Sequence, residues 1–235
     1  MAIVAQTLLL RVQTTLQDLT ARRWKVPELC RSFNAARREI VTLRPDAGSQ
    51  IVTVALGAGA KQTLSDDKQL RWLSVLRNTG GTKRAITLVD RRLLDTEEPE
   101  WQNAAGVTEI LHYTFDERYP RTIHVYPPAA SSGASVEAQL SVVPADIAIP
   151  ADGSAITDVT GALALPDQFE QAAYNLTLAL CLEKDAEHRV NADRATMHRA
   201  AALQALGVEK SETRATSPRR SATESGTRPV RTAES

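Results

Sequence analysis

Apolar residues recur at helical intervals along the first part of the chain. In Pro27–Arg44 they fall at Leu29, Phe33, Ala36, Ile40 and Leu43. That spacing puts them on one stripe of an α-helix, and a strand could not use it. Pro27 suits a first helical turn, where its missing N–H is not needed, and Glu28 favours the positive end of the helix dipole. Arg44-Pro45 ends the run, because the residue before a proline is pushed out of helical geometry. The opposite face carries Arg31, Arg37, Arg38 and Glu39, so one side wants a core and the other wants water or a charged partner. An earlier helix is predicted over Ala2–Thr20, with Val4, Leu8, Val12, Leu16 and Leu19 on one face. The link 21–26 is short, so these two helices are expected to be neighbours in an αα-hairpin, with Trp24 at the edge of their core.

From Gln50 the period changes to two. Ile51, Thr53 and Ala55 face one way, and Val52, Val54 and Leu56 the other. Gly57-Ala58-Gly59-Ala60-Lys61 reads as a turn between strands. It lacks the full spacing of a phosphate-binding loop and has no Ser or Thr after the lysine. Further strands are predicted at Leu70–Asn78, Ala85–Val89, Val107–Phe115, Arg121–Tyr126 and Val136–Val143, with a hairpin turn at Thr79–Thr82. Asp90 can cap a short helix that Pro99 stops. Helical spacing returns after Pro166, with Phe169, Ala173, Leu176 and Leu180 as one stripe. It continues over Asp193–Leu206, with Met197, Ala201 and Leu206 as the larger contacts and Gly207 as a C′ residue. The stripe loses phase between Lys184 and Ala192, where a bend is expected.

The pattern therefore predicts an α+β fold. The N- and C-terminal helices (1–49 and 162–207) form a bundle with Leu8, Val12, Leu16, Leu29, Phe33, Ile40, Phe169, Leu176 and Leu180 as its core. Residues 50–161 form an inserted antiparallel β domain, either one sheet or a small sandwich. Residues 208–235 are rich in Ser, Thr, Arg and Glu, with only Val208 and Val230 as sizeable apolar residues. They bury too little to offset their ordering entropy and read as an extended tail ordered by a partner.

Composition narrows the function. Lys plus Arg and Asp plus Glu are each 28, so no bulk charge draws nucleic acid or membrane, and aromatics at 4% are few for base stacking. Cys30 and Cys181 both lie in helical patterns and read as buried free thiols of a reducing compartment. No apolar run reaches the ~20 residues of a membrane-spanning helix. The opening MAIVAQTLLLRVQ has no basic stretch before its apolar run, so a soluble, unprocessed chain is expected. His112 and His124 lie in neighbouring strand patterns near Asp116 and Glu117. No metal-ligand spacing accompanies them, and no G-x-S-x-G elbow or catalytic carboxylate pair stands out.

Six phrases, in chain order, resemble the head-to-tail adaptor (connector, or head-completion) proteins of tailed bacteriophages. They are RWKVPELCRSFNAARREIVTLRPDA, LSVLRNTGG, AITLVDRRLLDTEEPEW, HYTFDERYPRTIHVYPPA, LPDQFEQAAYNLTLALCLEKDAEH and ATMHRAAALQALG. The first carries Trp24, Leu29, Asn34, Arg38, Ile40, Arg44 and Pro45 in that family's usual places, and together they cover about residues 2 to 207. The resemblance implies a structural virion protein with no reaction to catalyse and no cofactor. It would sit in the neck of the virion and assemble in the host cytoplasm as a homo-oligomeric ring, typically of about twelve copies. Such a ring lies beneath the portal, extends the DNA channel and gives a tail nozzle or tube protein its platform, with no role for a membrane. DNA would pass without sequence-specific binding. The C-terminal segment would dock on the portal, with Arg214, Arg219, Arg220, Arg228, Val230 and Arg231 as its contacts. Two other readings compete. One is a DNA-binding regulatory module using the basic helix 27–44, and the other is a small enzyme built on His112 and His124.

Overall fold

Four helices drawn from the two ends of the chain share one apolar interior. A computed structural model describes residues 3–184 and 189–207. The bundle comprises α1 (Ala5–Thr15), α2 (Val26–Leu43), α4 (Glu170–Glu183) and α5 (Arg189–Ala205), and the short α3 (Arg91–Glu97) lies within the β region. Leu8, Val12, Leu16, Leu29, Phe33, Ile40, Phe169 and Leu176 are all buried in one cluster, and Leu180 is half-buried against it. Each such large side chain contributes about 1.5–3 kcal/mol on leaving water.

The helix ends differ from the periodic pattern for local reasons. α1 stops at Thr15 rather than Thr20, and Leu19 is 66% exposed. Gln17 and Ala21 take positive φ values of 57° and 50°, which turn the chain away from the helix. Asp18 then accepts backbone N–H bonds from Arg22, Arg23 and Trp24 at 2.9, 2.7 and 2.9 Å, shaping the link. The slight burial of Asp18 raises its pKa, but those three donors outweigh it and leave the carboxyl below its ordinary value. Trp24 is buried and donates from Nε1 to the Cys181 carbonyl at 2.8 Å, tying the link to α4.

The main neighbour of α2 is α4 rather than α1, so the expected αα-hairpin gives way to a bundle organised around α4. This helix buries Ala172, Ala173, Leu176, Leu178, Ala179, Cys181 and Leu182, which is more than one stripe. A helix covered on several sides has no polar face to reveal its direction. In α5 the buried positions are Ala195 and Ala202, with Leu206 just beyond the helix, and Met197 is 60% exposed instead of packed. Small residues let α5 lie close to α4, which turns Met197 outward. Both cysteines are free and buried, and burial pushes each thiol up to about 11.

Between the two pairs of helices the chain forms two sheets. The first has the order β1–β7–β3, from Ser49–Ala55, Ser135–Val142 and Gln69–Asn78, all antiparallel. The second has the order β2–β6–β5–β4, from Gly59–Thr63, Thr122–Ala129, His112–Phe115 and Thr87–Leu88. Its β4–β5 pair is parallel. Trp72, Val75, Ile110, Tyr113, Ile123, Val125, Val136, Ala138 and Leu140 fill the space between them. The glycine-rich stretch expected to be a turn supplies β2, in which Ala60 and Gln62 are buried in alternation. The expected strand over Val107–Phe115 shrinks to His112–Phe115, with Val107 making a single bridge to Ala129.

Candidate functional site

The polar side of α2 is where the structure joins its halves. Asn34 faces Ile147, accepting from its N–H at 3.0 Å and donating to its carbonyl at 3.2 Å. One turn on, Arg37 Nη2 donates to Asn34 Oδ1 at 2.6 Å and to the Ala145 carbonyl at 2.9 Å. Its Nη1 donates to the carbonyls of Leu163 and Ala162 at 3.3 and 3.4 Å. The guanidinium lies over Phe33, 4.8 Å from the ring centre. Arg37, placed by its periodicity on the exposed face, is instead 1% exposed. The planar fork of arginine explains the choice, because it donates in several fixed directions and so holds the returning strand connection and the entry to α4 together. Burial lowers its pKa; Asp146 opposes that shift and Arg38 adds to it. Arg38 itself pairs with Asp146.

A second arginine marks the far end of α2. Arg44 pairs with Asp46 at 3.0 and 2.8 Å, donates to the Leu206 carbonyl, and lies over Phe169 at 5.9 Å. The bond to Asp46 outweighs burial and raises its pKa. The end of α5 is therefore pinned to the C-terminal end of α2. The tail contacts Arg214, Arg219, Arg220, Arg228, Val230 and Arg231 lie outside the described residues.

The β side offers an open cleft of about 830 Å³ between α3 and the second sheet. Lys61, Arg91, Arg92 and Arg118 line it together with Asp90, Asp95, Asp116 and Glu117, so its charge is mixed. His124 reaches the cleft but packs edge-on to Trp101, with ring centres 6.3 Å apart. Burial, followed by repulsion from Arg91 and Lys61, lowers its pKa below 6.5. His112 stacks flat on Tyr126 and shares a 2.6 Å hydrogen bond with Thr87. The two imidazoles thus have separate partners, and no cluster of three or more His, Cys, Asp or Glu side chains able to hold a metal occurs among the described residues. Asn78 performs on this side what Asn34 does on the other. It bonds the Ile110 N–H and carbonyl, both at 2.8 Å, and the Arg84 carbonyl at 3.1 Å.

This arrangement bears on the basic helix. Of its charged residues, Arg37 is buried, Arg38 pairs with Asp146, Glu39 pairs with Arg199 at 2.7 Å, and Arg31 is exposed. These roles are not legible in spacing, because the carbonyls that Arg37 meets lie more than a hundred residues away in sequence. No helix is long and apolar enough to cross a membrane among the described residues. No curated protein matches the chain. The family model described as SU10 adaptor protein, however, matches residues 5–227, so the chain belongs to this family of phage head-to-tail adaptors and is a structural component of the phage neck.

Proposed function

We propose that the protein assembles beneath the portal as a ring of about twelve copies, closed by head-to-tail contacts between two different surfaces of each subunit. The ring joins the portal to the tail, lengthens the DNA channel and presents the platform on which a tail nozzle or tube protein docks. Assembly takes place in the host cytoplasm. Membership of the adaptor family is the observation that carries this reading. The charge balance of 28 basic against 28 acidic residues supports it, since many copies packed side by side repel strongly when each has a large net charge. A channel wall that does not grip phosphates also lets the duplex pass. The division of labour proposed for the chain is a bundle from 1–49 and 162–207, an inserted β domain over 50–161, and a portal-docking tail over 208–235.

Electron micrographs of the purified protein mixed with its portal test the assembly directly. Added ring density beneath the portal is the expected result, and portals left bare would reject it. Deleting Val208–Ser235 should leave a folded chain that binds portal rings poorly. Undiminished binding would remove the tail from the contact. At physiological salt the free protein should leave the mobility of a DNA duplex unchanged.

A further inference from the structure

Four strands lie at the ends of the two sheets, and three of them are guarded. β3 is covered on its outer side, where the Trp72 N–H donates to the Pro120 carbonyl and the Asn78 N–H to the Arg84 carbonyl. β4 has only two residues, and the Ile86 N–H just before it donates to the Leu76 carbonyl of β3. β2 carries Lys61 and a register shift, both of which blunt an edge. β1 has none of these protections. Its sequence SQIVTVA holds no charge and no proline, pairs with β7 without a register shift, and meets no second strand among the described residues. From Ala47 to Ala60 the chain has no charged residue at all.

The Leu56 N–H donates to the Ala134 carbonyl, which fixes the phase of the β1–β7 ladder. Alternation along an antiparallel strand then turns the backbone groups of residues 50, 52 and 54 toward β7 and those of Ile51, Thr53 and Ala55 outward. This outward edge complements itself. Two copies of β1 laid antiparallel about Thr53 set Thr53 opposite Thr53, Ile51 opposite Ala55 and Val52 opposite Val54. The first two of these pairings join residues whose N–H and carbonyl groups both face outward, so each exchanges two hydrogen bonds. Ile51, 63% exposed, meets the small Ala55 of the other copy. Val52 and Val54, partly buried against the core between the sheets, cover one another and extend that core. No charge meets a like charge along the contact.

We propose that the free protein pairs with a second copy of itself through β1, merging the three-stranded sheet of each into one continuous sheet. Main-chain hydrogen bonds supply the affinity, and the side-chain pairs set the register. A two-fold contact uses the same surface on both partners and stops at two, whereas the ring proposed above needs two different surfaces. The pairing therefore goes beyond that reading. It belongs to the subunit before assembly and closes an edge that would otherwise bond other chains. One strand pair buries less than the ~1,200 Å² of a stable interface, so a dissociation constant on the order of 100 μM is expected and the copies part readily.

Sedimentation of the full chain from about 5 to 500 μM, a range that spans this constant, should show monomers giving way to dimers. Thr53 is exposed, so Thr53→Lys leaves the core alone while setting two cations together at the axis. It should weaken the pairing about 10-fold or more. A cysteine scan reads the register. Residues paired as the two Thr53 are have Cα atoms about 5.5 Å apart, within reach of a disulfide, whereas the two Ile51 stand about 14 Å apart. Under mild oxidation the Thr53→Cys variant should link and the Ile51→Cys variant should not, because Cys30 and Cys181 are buried. Monomers throughout the range, larger assemblies in place of dimers, or equal linkage at the two positions would overturn the proposal. Where the lysine variant fails to fold, linkage at position 53 decides. No portal is present in these measurements, so the ring reading stands or falls separately.

Discussion

The helical and β halves of this protein are both stitched together by buried polar side chains, yet they close differently. On the bundle side Arg37 and Asn34 gather backbone groups from 145–147 and 162–163, and α4 is covered by α1, α2 and α5. On the β side Asn78 gathers Arg84 and Ile110, but β1 keeps an open edge among the described residues. The bundle is a finished frame, and the sandwich retains backbone groups able to bond another chain. An assembling subunit needs both properties, since a rigid body fixes where its unsatisfied edges point.

The comparison is tested most severely at Arg37. Arg37→Ala removes the donor of four hydrogen bonds, two of them buried, and should destabilise the fold by about 3 kcal/mol. Denaturant unfolding at neutral pH measures this, and a loss below about 1 kcal/mol would mean that the stitch is ornamental. Asn78→Ala should cost less, about 1–3 kcal/mol, because its bonds are between uncharged groups. A larger loss there than at Arg37 would reverse the ranking of the two halves.

A smaller effect comes from the histidines. His124 and His198 both have lowered pKa values, in each case first through burial. Below 6.5 the unfolded chain binds protons that the folded chain does not, so stability is full above that pH. It falls as pH drops toward the lowered folded values. Urea midpoints measured from pH 7.5 down to 5.5 should decline, and His124→Gln should make the decline shallower. A flat profile in the parent protein would show that these rings do not couple to folding. The smallest effect concerns Lys25 and Asp152, paired at 2.7 Å with side chains 54% and 67% exposed. Lys25→Met should leave the unfolding midpoint unchanged, because water screens such a pair. A clear shift there would show that the return segment is held at its surface as well as by Arg37.

Much of the helical frame can be read from spacing alone. The stripe from Leu29 to Ile40 is buried as its period requires, and Asp90 caps α3 through the Arg92 N–H. Reading failed where a second surface overrode the first. α4 is apolar on too many sides to show its facing, and the small residues of α5 displaced Met197. β2 was hidden by its glycines, although the alternation of Ala60 and Gln62 records it.

The sequence by itself determined which segments are helical, that helices from both ends of the chain flank a β region, and which family the phrases resemble. Those properties follow from periodicity and local backbone preference, which need only neighbouring residues. Tertiary structure alone decided that Arg37 is a buried stitch, that α4 rather than α1 lies against α2, and that β1 and β3 form the edges of the first sheet. Each depends on hydrogen-bonding groups brought together from distant parts of the chain, and a residue type does not disclose its distant partners.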